Sequence, residues 1–206
     1  MPDWDKAYRE ADTALFGEEP TDFVRAVTTR PDFRCRTALC LADGDGRNGR
    51  WLARRGLRVT AVDVSAVATE IAEAKDGAAG LDIQRIVADL ADWEPGRNDR
   101  WDAVFVIFLQ CEATVRSRAV RRACTALNIG GWLVAEGFAR GGPATCTLGP
   151  KQPDLLYDLD ELRSASGDLV PIESSTGVVL LNEGIRHLGY GHIAQYCALR
   201  PATSDV

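Results

Sequence analysis

Leu39-Cys40-Leu41-Ala42-Asp43-Gly44-Asp45-Gly46-Arg47-Asn48-Gly49 is the stretch on which the reading of this chain turns. A short apolar run, Thr37 to Ala42, enters a glycine-rich turn, and Arg47 to Arg55 continues with helical character until Gly56. Glycines in a strand-to-helix turn admit positive φ and let a ligand approach the backbone closely. The helix that follows directs free N–H groups and the positive end of its dipole at that ligand, which favours an anionic group. Leu57 to Asp63 alternates like a second strand, and Asp63 ends it seventeen residues after Gly46. A carboxylate at that place can accept from two ribose hydroxyls, so turn, helix and acid together point to a nucleoside-containing ligand.

Working outward, Ser65 is a plausible N-cap for an alanine-rich helix reaching Lys75. Leu81 to Val87 reads as a third strand and Trp101 to Phe108 as a fourth. Thr114 to Leu127 has helical apolar spacing, and Trp132 to Glu136 is a fifth strand beyond Gly130-Gly131. Strands alternating with helices at this spacing predict βαβ units and a parallel sheet covered on both faces. The tail changes character: Asp158-x-x-Glu161 resembles a capping box, and Gly177–Leu181 and His192–Leu199 are strand candidates with no helix between them. They are expected to pair antiparallel. The fold class is therefore α/β, a Rossmann-like doubly wound sheet of seven strands, mostly parallel, with a C-terminal antiparallel hairpin. All 206 residues are read as one domain: 1–35 a helical lid, 36–140 the ligand-binding core, and 141–206 a further helix and the hairpin.

Composition narrows the partners. The formal charge of −6 argues against a general affinity for nucleic acid or anionic membranes. The N-terminus lacks the basic segment and apolar run of a secretory signal, and no apolar stretch approaches the ~20 residues of a membrane span. Six cysteines without C-x-x-C or neighbouring histidines read as reduced thiols, with no metal site, in a cytoplasmic protein.

Gly44-x-Gly46-x-x-Gly49 also satisfies the dinucleotide fingerprint. Against a nicotinamide enzyme stand the helical segment before the first strand and the lack of a tyrosine with lysine four positions later. The chain also leaves no room for a separate substrate domain.

At this point the sequence resembles the class I S-adenosylmethionine-dependent methyltransferases, above all the small bacterial branch related to tellurite-resistance and thiopurine methyltransferases. Trp4-Asp-Lys-Ala-Tyr8 with Phe16-Gly17 looks like that branch's N-terminal segment, which folds over the cofactor. Ala38–Asn48 matches its first motif and Val59–Ser65 its second; Ala88-Asp89-Leu90, Ile107–Gln110, Gly149-Pro150-Lys151, Asp154–Tyr157 and Glu183-Gly184 follow in order. The resemblance implies S-adenosylmethionine as cofactor. It implies the turn of Gly44, Gly46, Arg47 and Asn48 around its methionine end and Asp63 on the ribose hydroxyls, with Ala42, Asp43 and Val64 also among the cofactor-binding residues. Asp89 and Leu90 would meet the adenine, with Phe108 as an apolar wall and Trp4 and Tyr8 as the lid.

Two positions depart from that pattern: Cys40 stands where relatives carry an acid, and Gln110 where the branch often has histidine. Methyl transfer needs near-attack geometry and exclusion of water, and a general base only when the nucleophile demands one. Substrate-side candidates are Gln110, Tyr157, Arg186, His187 and His192. Arginines 116, 118, 121 and 122 read as a solvated helix face. The expected activity is methyl transfer to a small molecule. The alternatives are a cofactor-binding regulatory protein without turnover, suggested by Cys40 and Gln110, and a nicotinamide oxidoreductase, suggested by Gly49.

Overall fold

A computed structural model describes residues 2–202; Met1 and 203–206, which the single-domain reading included, lie outside the described residues. Seven strands form one sheet in the order β3-β2-β1-β4-β5-β7-β6. β1 (Thr37–Leu41), β2 (Arg58–Asp63), β3 (Ile83–Val87), β4 (Trp101–Ile107) and β5 (Leu127–Phe138) run parallel. β6 (Val170–Asn182) and β7 (Leu188–Leu199) form a hairpin whose second strand enters antiparallel beside β5.

Successive side chains of a strand point to opposite faces, and here both faces are covered. Leu39 and Leu41 of β1 meet the cluster built on α5 (Ala113–Thr125) and α6 (Leu159–Ser166). Ala38 and Cys40 face the other way, toward α2 (Asp22–Thr28) and α3 (Arg47–Arg54). Ser65 caps α4 (Ala66–Ala78), its hydroxyl accepting the Ala68 N–H at 3.0 Å. Asp158 caps α6 by accepting from Asp160 and Glu161. α1 (Trp4–Arg9) lies over α4, tied by Asp5, which accepts from the Ser65 hydroxyl and the Val67 N–H. After β3 the chain crosses from one side of β1 to the other and resumes at β4. The crevice outside the carboxyl ends of β1 and β4 is the switch point of the sheet.

Three features differ from the sequence reading. β6 and β7 are longer than their apolar cores, pairing from Val170↔Leu199 to Asn182↔Leu188. β6 is the exposed edge of the sheet, so Glu173-Ser-Ser-Thr176 needs no apolar pattern to pair. β4 stops at Ile107, because Phe108 adopts a left-handed φ of 51°. Arg116 is not on a solvated face: it is buried, donating to the carbonyls of Cys111 and Leu156, with its guanidinium 4.5 Å from the Tyr157 ring centroid. No helix among the described residues is long and apolar enough to cross a membrane.

Tyr157 is the seam between sheet and helix layer. Its N–H donates to Phe138 O and its ring lies flat on Gly137, where a Cβ would fall among the ring carbons. Overpacking a closed core costs about 1–3 kcal/mol. Gly137→Ala is expected to lower stability by about that much, read as an earlier midpoint in urea with an unchanged slope; an unchanged midpoint would show that the Tyr157 ring can move aside freely.

Candidate active site at the switch point

The turn after β1 is built by left-handed residues and held from beneath by charge. Ala42 (φ 57°) and Phe108 (φ 51°), at the ends of β1 and β4, are both non-glycine residues in the left-handed region, and both line the crevice. Such backbone persists only where the surroundings impose it, and it concentrates at functional sites. Gly46 (φ 88°) has a second reason to be glycine, since a Cβ there would strike the Arg85 guanidinium. Asp43 turns inward, accepting the Gly49 N–H at 3.0 Å and pairing with Arg85 at 3.1 Å. Asp45 accepts from Lys75 at 2.8 Å, and its carbonyl accepts from Arg50 at 2.6 Å. Gly46 N-caps α3 without a side chain, and the N–H groups of Arg47 and Asn48 go to no acceptor among the described residues. They are two oriented donors at a positive helix end.

Asp63, at the tip of β2, accepts Gly44 N–H with one oxygen and Ser65 N–H with the other, both at 2.8 Å. Each oxygen keeps a further lone pair. Burial pushes its carboxyl above the usual range. Asp89 accepts the Ala91 N–H at 2.8 Å and is exposed at the rim, beside buried Leu90.

A cavity open to solvent on one side lies above the turn. Trp4, Tyr8 and Phe16 roof it in tilted and edge-to-face contacts, with centroids 6.2–6.4 Å apart. Two side chains of α3 pin this roof: Asn48 accepts the Thr21 N–H at 3.1 Å, and Arg47 donates to the carbonyl of Phe16 and to Glu183 at 2.9 Å. Glu183 in turn faces His187 Nδ1 at 3.4 Å. The His187 ring is buried between Phe16, Phe108 and Phe138, and burial holds its pKa below the ordinary imidazole value.

Of the residues singled out from sequence, Trp4, Tyr8, Ala42, Asp43, Gly44, Arg47, Asn48, Asp63, Val64, Asp89, Leu90 and Phe108 line this one cavity, with Gln110 and His187. Gly46 lies just below the lining. Three others stand elsewhere. Tyr157 is buried under Gly137, with its hydroxyl unpartnered. Arg186 lies outside the roof, its guanidinium 5.9 Å from the Trp4 ring centroid. His192, midway along β7, packs its Cβ against Gly142. Sequence reasoning missed Leu109, Cys111 and Val115 as lining residues, since they read as plain core, and it placed Phe16 only within the segment that folds over the cofactor. It missed Arg85 altogether, because a lone arginine in a strand carries no pattern.

Residues 38–131 match the methyltransferase domain family. The fold is shared with solved structures at low identity. One, described as converting a disulfide bond into a thioacetal group during echinomycin biosynthesis, is 20% identical with a TM-score of 0.75, over 98% of this chain and 92% of the other. TehB from Haemophilus influenzae is 18% identical with a TM-score of 0.68, over 97% of this chain and 66% of TehB. An S-adenosylmethionine-dependent methyltransferase from Clostridium acetobutylicum is 14% identical with a TM-score of 0.67, over 97% and 96%. No curated protein matches the chain.

Below Arg47 and Glu183 lies a buried acid, Glu136 of β5, whose Oε1 accepts from Gln195 at 2.8 Å while Oε2 has no partner. Burial pushes its carboxyl up to about 7. A folded-state pKa above the unfolded value of 4.5 means that the folded protein binds the proton more tightly, so stability falls as pH rises between 4.5 and about 7. Glu136→Gln keeps the Gln195 bond and removes the titration. It is expected to flatten that slope and to gain about 2–3 kcal/mol over the wild type at pH 8, but little at pH 4.5. Denaturant midpoints at the two pH values check this, and parallel pH profiles would contradict it.

Proposed function

We propose, from the match of residues 38–131 to the methyltransferase domain family and from a fold shared with class I S-adenosylmethionine-dependent methyltransferases, that the chain methylates a small-molecule acceptor, with S-adenosylmethionine as cofactor. The observation that carries this reading is the pairing, within one cavity, of a helix N-terminus with two free N–H groups and an acid at the tip of the neighbouring strand. The spacing suits a ligand with a carboxylate at one end and a ribose in the middle.

In this reading Arg47 and Asn48 N–H groups receive the methionine carboxylate, and the remaining Asp63 lone pairs take the ribose hydroxyls. Val64 and Leu90 hold the adenine between apolar surfaces, and Asp89 accepts from its exocyclic amine. Bound there, the cofactor supplies a methyl group on a sulfonium, which is transferred by in-line displacement. The chain supplies the rest: the aromatic roof excludes water, and Phe108, Gln110 and His187 form the acceptor's walls. The aromatic roof over the cavity favours a small acceptor, and the net charge of −6 disfavours a polyanionic one. The single seven-stranded sheet supports one domain; of the 1–35 segment read from sequence as the lid, residues 2–20 serve that role and α2 packs into the core.

Titration calorimetry with S-adenosylmethionine, S-adenosylhomocysteine and NAD tests the ligand. Both adenosyl compounds are expected to bind and NAD is not; binding of NAD alone would return the chain to the oxidoreductase reading. Asp63→Ala is expected to weaken S-adenosylmethionine binding by at least about 1 kcal/mol, roughly fivefold or more, the scale of hydrogen bonds to a charged group. Equal affinity would remove Asp63 from the ribose.

A further inference from the structure

The acceptor end of the cavity carries a base and, among the described residues, no free cation. Two arginines lie near it. Arg47 is committed to Glu183 and to the carbonyls of Phe16 and Glu19, and Arg186 lies outside the roof against Trp4. The walls are the rings of Trp4, Phe16 and Phe108 with the side chains of Val115 and the uncharged Gln110. An oxyanion brought here would find no counter-charge from a side chain of the described residues and would lose its hydration, which is a large cost. A flat, uncharged molecule would find ring faces and edges to pack on.

His187 is the one imidazole on that wall. Its Nδ1 faces Glu183 Oε2 at 3.4 Å, and the same carboxylate oxygen receives Arg47 at 2.9 Å. A carboxylate facing Nδ1 favours the tautomer with the proton on Nδ1, which leaves the lone pair on Nε2. Nε2 makes no hydrogen bond among the described residues and is not one of the sealed, unpartnered polar atoms. Three rings hold the imidazole plane, with centroids 4.3 Å (Phe108), 4.8 Å (Phe16) and 5.3 Å (Phe138) away. A reduced chalcogen or thiolate needs no base, whereas a phenolic or enolic hydroxyl does.

We propose, on the methyl-transfer reading above, that His187 is the general base of this site and that the acceptor is an uncharged aromatic compound methylated on a hydroxyl. The hydroxyl proton passes to Nε2 as the oxygen's electron pair forms the O–CH₃ bond. The S–CH₃ bond breaks with its pair going to sulfur, so the sulfonium becomes a neutral thioether. The imidazolium left behind is stabilised by Glu183, a positioning residue that Arg47 holds in place. The charged groups around the ring are Glu183 on its own loop and Arg47 from α3. Glu136 of β5 acts on both of these, and the roof and the end of β4 present only Phe16 and Phe108 to the ring.

The test pairs acceptor selection with pH dependence. Methyl transfer from S-adenosylmethionine is measured with a panel of simple phenols, aromatic thiols, selenite and tellurite. Phenols are expected to be the preferred class, with kcat/KM falling at acid pH on a limb below the ordinary imidazole value of 6.5. His187→Gln is expected to lower kcat by about 100-fold or more and abolish that limb, while calorimetric affinity for S-adenosylmethionine is unchanged. Glu183→Gln is expected to move the limb and to change the tautomer ratio seen in the ¹⁵N signals of the imidazole. The chain has two histidines, so His192→Asn makes those signals assignable. Turnover confined to thiols or oxyanions, an acid limb that survives His187→Gln, or no transfer to any phenol by protein that binds S-adenosylmethionine each overturns the proposal. Failure to bind S-adenosylmethionine would instead remove the methyl-transfer reading itself.

Discussion

Two aspartates of a single turn face into the protein, and keeping them there is the condition on which the cavity depends. Buried carboxylates are costly unless paired. Each has its own cation, drawn from a different element: Arg85 of β3 for Asp43 and Lys75 of α4 for Asp45. Arg85 also reaches Asp76 of α4 at 2.7 Å, and Arg50 of α3 approaches Asp76 from the other side. The turn after β1 is thus fastened to β3, α3 and α4 at once. Burial still wins in part over Arg85, since the Asp43 carboxyl stands at about 6. With both acids engaged below, the upper surface of the turn is left to backbone N–H groups, which is what an anionic end of a ligand requires.

The roof depends on the same short helix. Arg47 and Asn48 offer their N–H groups to the cavity floor, while their side chains hold the N-terminal segment and the loop after β6 over it. Floor and roof therefore share two residues. Opening the roof to admit a ligand must break or stretch the Arg47 contacts, and Arg47 also fixes the carboxylate that orients His187. Roof closure and the orientation of His187 are accordingly linked through one guanidinium.

Much of this was legible in the sequence wherever chemistry repeats at a fixed spacing. The glycine turn, Asp63 and the strand–helix alternation placed β1 to β5 and the crevice, because backbone geometry and apolar periodicity are local properties. Arg116 was misread for the converse reason: helical spacing put it on a face with three other arginines, and only the packing of residues 153–161 over that face buries it. Arg85 and Glu136 were invisible, since a single charge in a strand gains meaning only from partners distant in the chain. Tyr157 and Arg186 were placed in the site by a shared segment that does run past it, but backbone pairing to Phe138 and Leu15 turns their side chains elsewhere.

Cys40 makes the same point about partners. In β1 it points to the α2 and α3 face and lies close enough to Asp43 for that carboxylate to raise its thiol further above the range set by burial. An acid at position 40 would therefore sit beside Asp43 in the interior, with Arg85 the cation near both. Two buried carboxylates sharing one guanidinium repel, and one of them would be driven to bind a proton. A small, neutral, apolar side chain at 40 is what allows Asp43 to hold Arg85 undivided. Cys40 and the inward turn of Asp43 are two sides of one arrangement, in which the buried acid stands in the turn and a neutral side chain in the strand.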